Sequence, residues 1–246
     1  CAGDLDADGY GDVVIGAHEY STERARWTGR AYVYLGGTSG VPTEPNVVLD
    51  NPSGEAAGFF GWDLAGPGDL QGDGYSDLTV ASHREDTTGP DTFDGVVYIY
   101  NGREGGVPAS PTTRIPGTID PPTLKFGTAV ASAGDVNADG HPDLVVAAED
   151  YWATYSYEGE VFVFRGSLDG LVATPATRLA NPLHRERWFF GSDVSSAGDV
   201  NGDGFDDLLV GANGQGDMGD EVGGAAFVYL GGPGGILLDP DVTMDG

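Results

Sequence analysis

The chain is poor in several things, and each scarcity narrows what it can be. Cys1 is the single cysteine among 246 residues, so no disulfide can form within the chain. That suits a bacterial or otherwise disulfide-poor extracellular protein. Cys1 lies three residues before an acidic loop and reads as a boundary rather than a lipidated terminus. Basic residues are scarce too: 11 Lys and Arg against 39 Asp and Glu, a net charge of −28. Nucleic acid and anionic membrane surfaces are excluded as partners, because both need the opposite sign. No stretch reaches about 18 consecutive apolar residues, which excludes a membrane-spanning helix. No segment carries a helical period, and 42 glycines and 15 prolines work against helices generally. An acid excess of this size usually means disorder or bound cations. With 39% hydrophobic and 10% aromatic residues in regularly recurring runs, disorder does not fit.

What is present is a repeat. A nine-residue acidic loop begins at Asp4, Asp69, Asp135 and Asp199, at intervals of 65, 66 and 64 residues. These are loops 1 to 4, at residues 4–12, 69–77, 135–143 and 199–207. Each reads Asp, then Asp, Asn or Gln two on, Asp two further, Gly, two more residues, and a closing Asp. A short apolar run follows each loop, at residues 12–17, 77–81, 143–148 and 207–212, too short for a helix and read as a strand buried on both faces. After a variable segment comes an alternating strand (31–35, 96–100, 161–164, 226–230), a Gly-containing turn, and a weaker outer strand such as 46–49 or 177–179. The unit ends in Phe-Gly (60–61, 126–127, 190–191) and an Ala- or Ser-rich strand. Four strands per period match propeller blades. The expected fold is all-β: a β-propeller of four-stranded antiparallel blades, about four of them, as a partial or chain-completed ring. One propeller region spans 1–246, with approximate repeats 1–58, 59–124, 125–188 and 189–246. The first unit lacks its innermost strand, so further blades or self-association are expected to complete the ring.

The loop spacing also specifies chemistry. Calcium takes six to eight oxygens at about 2.3–2.6 Å, and alternate side chains on a tight turn can aim several at one point. The expected ligand sets are Asp4, Asp6, Asp8, the Tyr10 carbonyl and a bidentate Asp12; Asp69, Gln71, Asp73, the Tyr75 carbonyl and Asp77; Asp135, Asn137, Asp139, the His141 carbonyl and Asp143; and Asp199, Asn201, Asp203, the Phe205 carbonyl and Asp207. Up to four Ca2+ would take the net charge from −28 to about −20. An EF-hand needs Glu at its twelfth position; here Ile15, Val80, Val146 and Val210 stand there, as strand residues expected to face a core. Magnesium fits poorly, because it retains water and demands a tighter octahedron. Loop 1, with four carboxylates, should bind most tightly, and loop 2, with Gln71, least.

Phe-Gly, a small-residue strand, Gly-Asp, the acidic loop and a strand ending in Gly-Ala together resemble the FG-GAP repeat. Residues 190–212 carry the whole pattern, and the resemblance covers essentially the entire chain. It implies a propeller like that of integrin α-subunits and bacterial integrin-like surface proteins, with calcium loops between strands 1 and 2 on the lower face. It also implies an extracellular or cell-surface location and a non-enzymatic role in adhesion or protein–protein contact.

Recognition would then fall on the unlike loops of the other face, at residues 18–29, 83–95, 149–159 and 213–224, and on the inter-blade segment 183–188. Candidate ligand-face residues are Trp27, Arg84, Trp152, Tyr155 and Trp188, since aromatic and Arg side chains on rigidly mounted loops suit partner or glycan recognition. The partner is an unknown protein or glycan. No nucleophile elbow, zinc signature or phosphate loop occurs, and no catalytic residue is assigned. The alternatives are a lectin-like carbohydrate-binding propeller, or the scaffold region of a larger extracellular enzyme.

Overall fold

The structure is a computed structural model describing residues 2–89, 92–117, 125–149, 158–183, 188–214 and 223–245. Its elements are all strands, in four antiparallel sheets. The first is β1 (Val13–Gly16), β2 (Arg30–Tyr34) and β3 (Val47–Asp50). The second is β4 (Leu64–Gly68), β5 (Asp77–Ser82), β6 (Val96–Tyr100) and β7 (Thr113–Pro116). The third is β8 (Ala129–Gly134), β9 (Asp143–Ala148), β10 (Glu160–Phe164) and β11 (Thr177–Ala180). The fourth is β12 (Phe190–Gly198), β13 (Asp207–Ala212), β14 (Ala225–Tyr229) and β15 (Val242–Asp245). Strands pair in chain order within each sheet, as in a propeller blade.

The blades stack face to face, and each interface has its own apolar core. Ala31, Val33 and Leu49 of the first blade meet Leu78, Val80, Tyr98 and Tyr100 of the second. The Phe of each Phe-Gly pair fills the junction. Phe60, Phe126 and Phe190 are fully buried, edge-on to Tyr98 and Tyr100, Phe162 and Phe164, and Phe227 and Tyr229 respectively. Edge-to-face pairs add about 0.5–1.5 kcal/mol each beyond the area they bury. A backbone bond also crosses every junction: the N–H groups of Phe60, Phe126 and Phe190 donate to the carbonyls of Thr28, Asp94 and Glu158 at 3.2, 3.1 and 3.0 Å.

One expectation is corrected. The apolar run after loop 1 does not form a strand buried on both faces, and the run after loop 4 does so only in part, with Leu209 and Gly211 half-buried. Val80, Val146 and Val210 are fully buried, but Ile15 is 50% exposed and Val13 36%. The reason is position: β5 and β9 lie between two neighbours and are buried at every residue, whereas β1 has a neighbour on one side only. The last blade is open on its opposite face, where Met244 is 49% exposed. The arc is therefore not a closed ring.

Candidate metal centres and an aromatic loop face

The acidic loops sit where the chain turns from the innermost strand to the next: loop 2 between β4 and β5, loop 3 between β8 and β9, loop 4 between β12 and β13. The first Asp of each organises its own turn. Asp4 accepts from the N–H groups of Asp8 and Gly9 at 3.1 and 2.9 Å, and Asp69, Asp135 and Asp199 accept from the matching residues. The sixth position holds Gly9, Gly74, Gly140 or Gly204 at φ of 90 to 96°, a region that glycine enters without steric cost.

The closing Asp does something the ligand pattern did not reveal. Asp12, Asp77, Asp143 and Asp207 are at most 1% exposed, and both oxygens of each accept backbone N–H bonds. One bond comes from the loop's second residue: Leu5, Leu70, Val136 and Val200 at 2.6, 2.9, 3.1 and 2.9 Å. The other comes from the turn after the next strand: Gly36, Gly102, Gly166 and Gly231 at 2.7, 2.9, 3.0 and 2.8 Å. The closing Asp thus clasps the loop to its blade, with one lone pair left on each oxygen of Asp12, Asp143 and Asp207 for a cation, whereas Asp77 Oδ1 also accepts from Gln71. Burial pushes Asp77 up to about 6 and Asp143 up to about 7, despite those N–H bonds.

The remaining ligand positions fit a hard cation. Oxygens of Asp4, Asp6 and Asp8 converge within 4.8 Å of one another. Asp6 Oδ1 is buried with no hydrogen-bond donor. Its carboxyl is held above the ordinary range, first by burial and then by the charges of Asp8 and Asp12. In the other loops an amide stands in that place, and its N–H relieves the fifth-position Asp: Gln71 to Asp73, Asn137 to Asp139 and Asn201 to Asp203 at 3.1, 2.9 and 2.8 Å. Gln71 also donates to Asp77, and its Oε1 is buried without a partner. Loop 1 has no such internal donor and is left with converging like charges. An all-oxygen set of this kind suits a divalent cation.

At the opposite ends of the strands, an aromatic cluster forms. Trp27 is 45% exposed and stacks on Phe59, with centroids 5.9 Å apart. The Arg84 guanidinium lies 5.2 Å over the same Phe59 ring. Trp62, 42% exposed, lies 4.1 Å from His83 and 5.0 Å from His18. Two of the five candidate ligand-face residues thus meet here. Trp188 does not join them: it is buried in the core between the third and fourth blades, where its apolar area is worth most. Trp152 and Tyr155 lie outside the described residues. Sequence reasoning missed Phe59 and Trp62, although they flank the Phe60-Gly61 pair and so were bound to lie at a blade junction.

His83 yields a pH prediction. It is 3% exposed, and burial, with Arg84 and Lys125 next, pushes its imidazole down to about 3. The folded chain keeps His83 neutral while the unfolded chain protonates it near 6.5. Stability present above pH 6.5 is therefore lost as pH falls toward 3, by up to about 1.4 kcal/mol per pH unit. In saturating calcium, urea unfolding of His83→Gln should lose less stability than the parent chain between pH 6.5 and 5. Equal losses would contradict the assignment.

The FG-GAP-like repeat pattern matches residues 69–146 and 135–210, and the FG-GAP repeat pattern matches residues 1–34. The chain belongs to the FG-GAP repeat family. Its relatives include human integrin alpha-7, 33% identical over 227 residues, covering 86% of this chain and 18% of that protein. Integrin alpha-PS5 of Drosophila melanogaster is 32% identical over 193 residues, 76% of this chain and 18% of the relative. Integrin alpha-4 of Xenopus laevis is 35% identical over 149 residues, 60% and 14% respectively. The chain therefore spans less than a fifth of these relatives' length. Among solved structures, the exotype rhamnogalacturonan lyase YesX aligns with 95% of this chain and 47% of its own, at 16% identity and a TM-score of 0.49. That is too distant to bear on function.

Proposed function

We propose that this chain is a calcium-stabilised, non-enzymatic recognition region of an extracellular or cell-surface protein, adhesive in role. The calcium part rests on Asp6: a buried carboxylate oxygen without a donor, among converging carboxylates. Asp4, Asp6, Asp8 and Asp12, with the Tyr10 carbonyl, would hold the ion in loop 1, and the corresponding residues would hold one in each other loop. Calcium neutralises carboxylates that otherwise repel. The recognition part rests on kinship with integrin alpha subunits and on the Trp27, Phe59 and Arg84 cluster opposite the acidic loops. Exposed aromatic and Arg groups of this kind anchor protein interfaces. The open faces of the first and last blades are suited to further blades or a second copy of the chain, and sizing in solution with calcium reads the latter directly.

A lectin-like role is the second reading, favoured by the exposed Trp27 ring, stacked on the half-buried Phe59, which also suits a sugar face. A printed panel of extracellular-matrix proteins and glycans, probed in millimolar calcium, separates the two. Protein spots lost on Trp27→Ala and Arg84→Ala support adhesion. Binding confined to glycans would transfer the assignment to the lectin reading, and signals unaffected by either substitution would remove this face from the proposal.

A further inference from the structure

The acidic loops are wired to one another across the blades, and the wiring is uneven. One connection repeats at every junction. The turn that donates to a closing Asp also donates to the preceding loop. Gly102 N–H bonds Asp77, while the next residue, Arg103, donates to the Leu5 carbonyl at 3.0 Å. Gly166 and Ser167 likewise join Asp143 to the Leu70 carbonyl, and Gly231 and Gly232 join Asp207 to the Val136 carbonyl. A hydrogen-bonded relay therefore runs from Asp12 through Leu5 to Asp77, Asp143 and Asp207.

Two junctions carry more. Between loops 1 and 2, Ser76 N–H donates to the Asp4 carbonyl at 2.9 Å, and Asp4 N–H donates to Ser76 Oγ at 3.2 Å. Between loops 3 and 4, Asp206 N–H donates to the Asp135 carbonyl at 3.1 Å, and Asp135 N–H donates to Asp206 Oδ2 at 2.8 Å. In both cases the first Asp of one loop is clamped by the residue immediately before the closing Asp of the next. Between loops 2 and 3 that residue is Pro142, which has no N–H. Its ring instead lies against Gly68. Loops 2 and 3 keep the relay bond and packing contacts, but lack the clamp.

We infer that the loops take up cations as two coupled pairs, 1 with 2 and 3 with 4, with Pro142 marking the seam. This rests on the cation reading above and adds its regulation. A cation in loop 1 fixes the Asp4 backbone and, through Ser76, the residue beside Asp77. The ordering that loop 2 would otherwise undergo on binding is then partly done, which is positive coupling. Across Pro142 that gain is smaller, so the two pairs fill nearly independently.

Terbium, as a calcium probe, tests this. Tyr10 and Tyr75 lie in loops 1 and 2, so the difference in tyrosine-sensitised emission between a Tyr10→Phe chain and a chain carrying both Tyr10→Phe and Tyr75→Phe reports loop 2. Asp6→Ala, which disables loop 1, should weaken terbium at loop 2 at least about fivefold, the lower end of usual coupling. Asp203→Ala, which disables loop 4, should change it less than about twofold. Ser76→Pro places in loop 2 the residue loop 3 already has there, touches no ligand side chain, and should remove most of the Asp6→Ala effect. Circular dichroism establishes that each variant is folded. Equal weakening by Asp6→Ala and Asp203→Ala, or none by either, overturns the pairing while leaving the cation sites standing. A folded parent chain that binds no terbium overturns both.

Discussion

Chelation of calcium should lower the melting temperature by about 20 °C. At about a hundredfold excess over its dissociation constant, one bound ion adds about 2.7 kcal/mol. Four such ions would add on the order of 10 kcal/mol, and a chain of this size loses about 2–4 °C per kcal/mol. Some binding to the unfolded chain trims the figure, which keeps the estimate toward its lower end. The physical cause is concentrated in loop 1, where Asp6 Oδ1 is buried without a donor and the charges of Asp8 and Asp12 oppose the carboxyl's ionisation. Calorimetric titration of variants that each retain one intact loop should place loop 1 tightest and loop 2 weakest. Scanning calorimetry with and without chelator is the direct measurement. A melting curve that does not move would remove calcium from the account of stability.

Gly95→Ala should be among the most damaging single substitutions in the chain, costing more than about 4 kcal/mol and about 10 °C or more in melting temperature. A Cβ at residue 95 would fall on the carbonyl oxygen of Phe126, inside hard contact, with the Phe126 N at 2.7 Å. Neither atom belongs to a flexible side chain, so nothing can rotate away. The backbone also sits at φ 79°, which adds about 1–2 kcal/mol for any L side chain. Gly29 and Gly159 make the same approach to Phe60 and Phe190. The junction therefore depends on a glycine in one blade and the Phe-Gly pair of the next. Urea unfolding measures the loss. A change below about 1 kcal/mol would mean that the blades do not meet as described.

Much was legible in the chain itself. Alternation of apolar residues determined the strands, and the 64–66-residue period determined that one unit recurs. Both are local properties of covalent order, and every sheet follows from them. The spacing of Asp4, Asp6 and Asp8 determined that their oxygens converge, because alternate positions on a tight turn face one point. Only the tertiary structure decided what lies between blades. It made the closing Asp residues clasps, because their partners, such as Gly102 for Asp77, lie 25 residues away. It exposed Ile15 and buried Val80, although both occupy the same repeat position, because burial depends on whether a neighbouring blade exists. It drew Trp27 and Arg84 together over Phe59 and left Trp188 in the core. These outcomes depend on which residues of distant repeats come into contact. No pattern within one repeat contains that information.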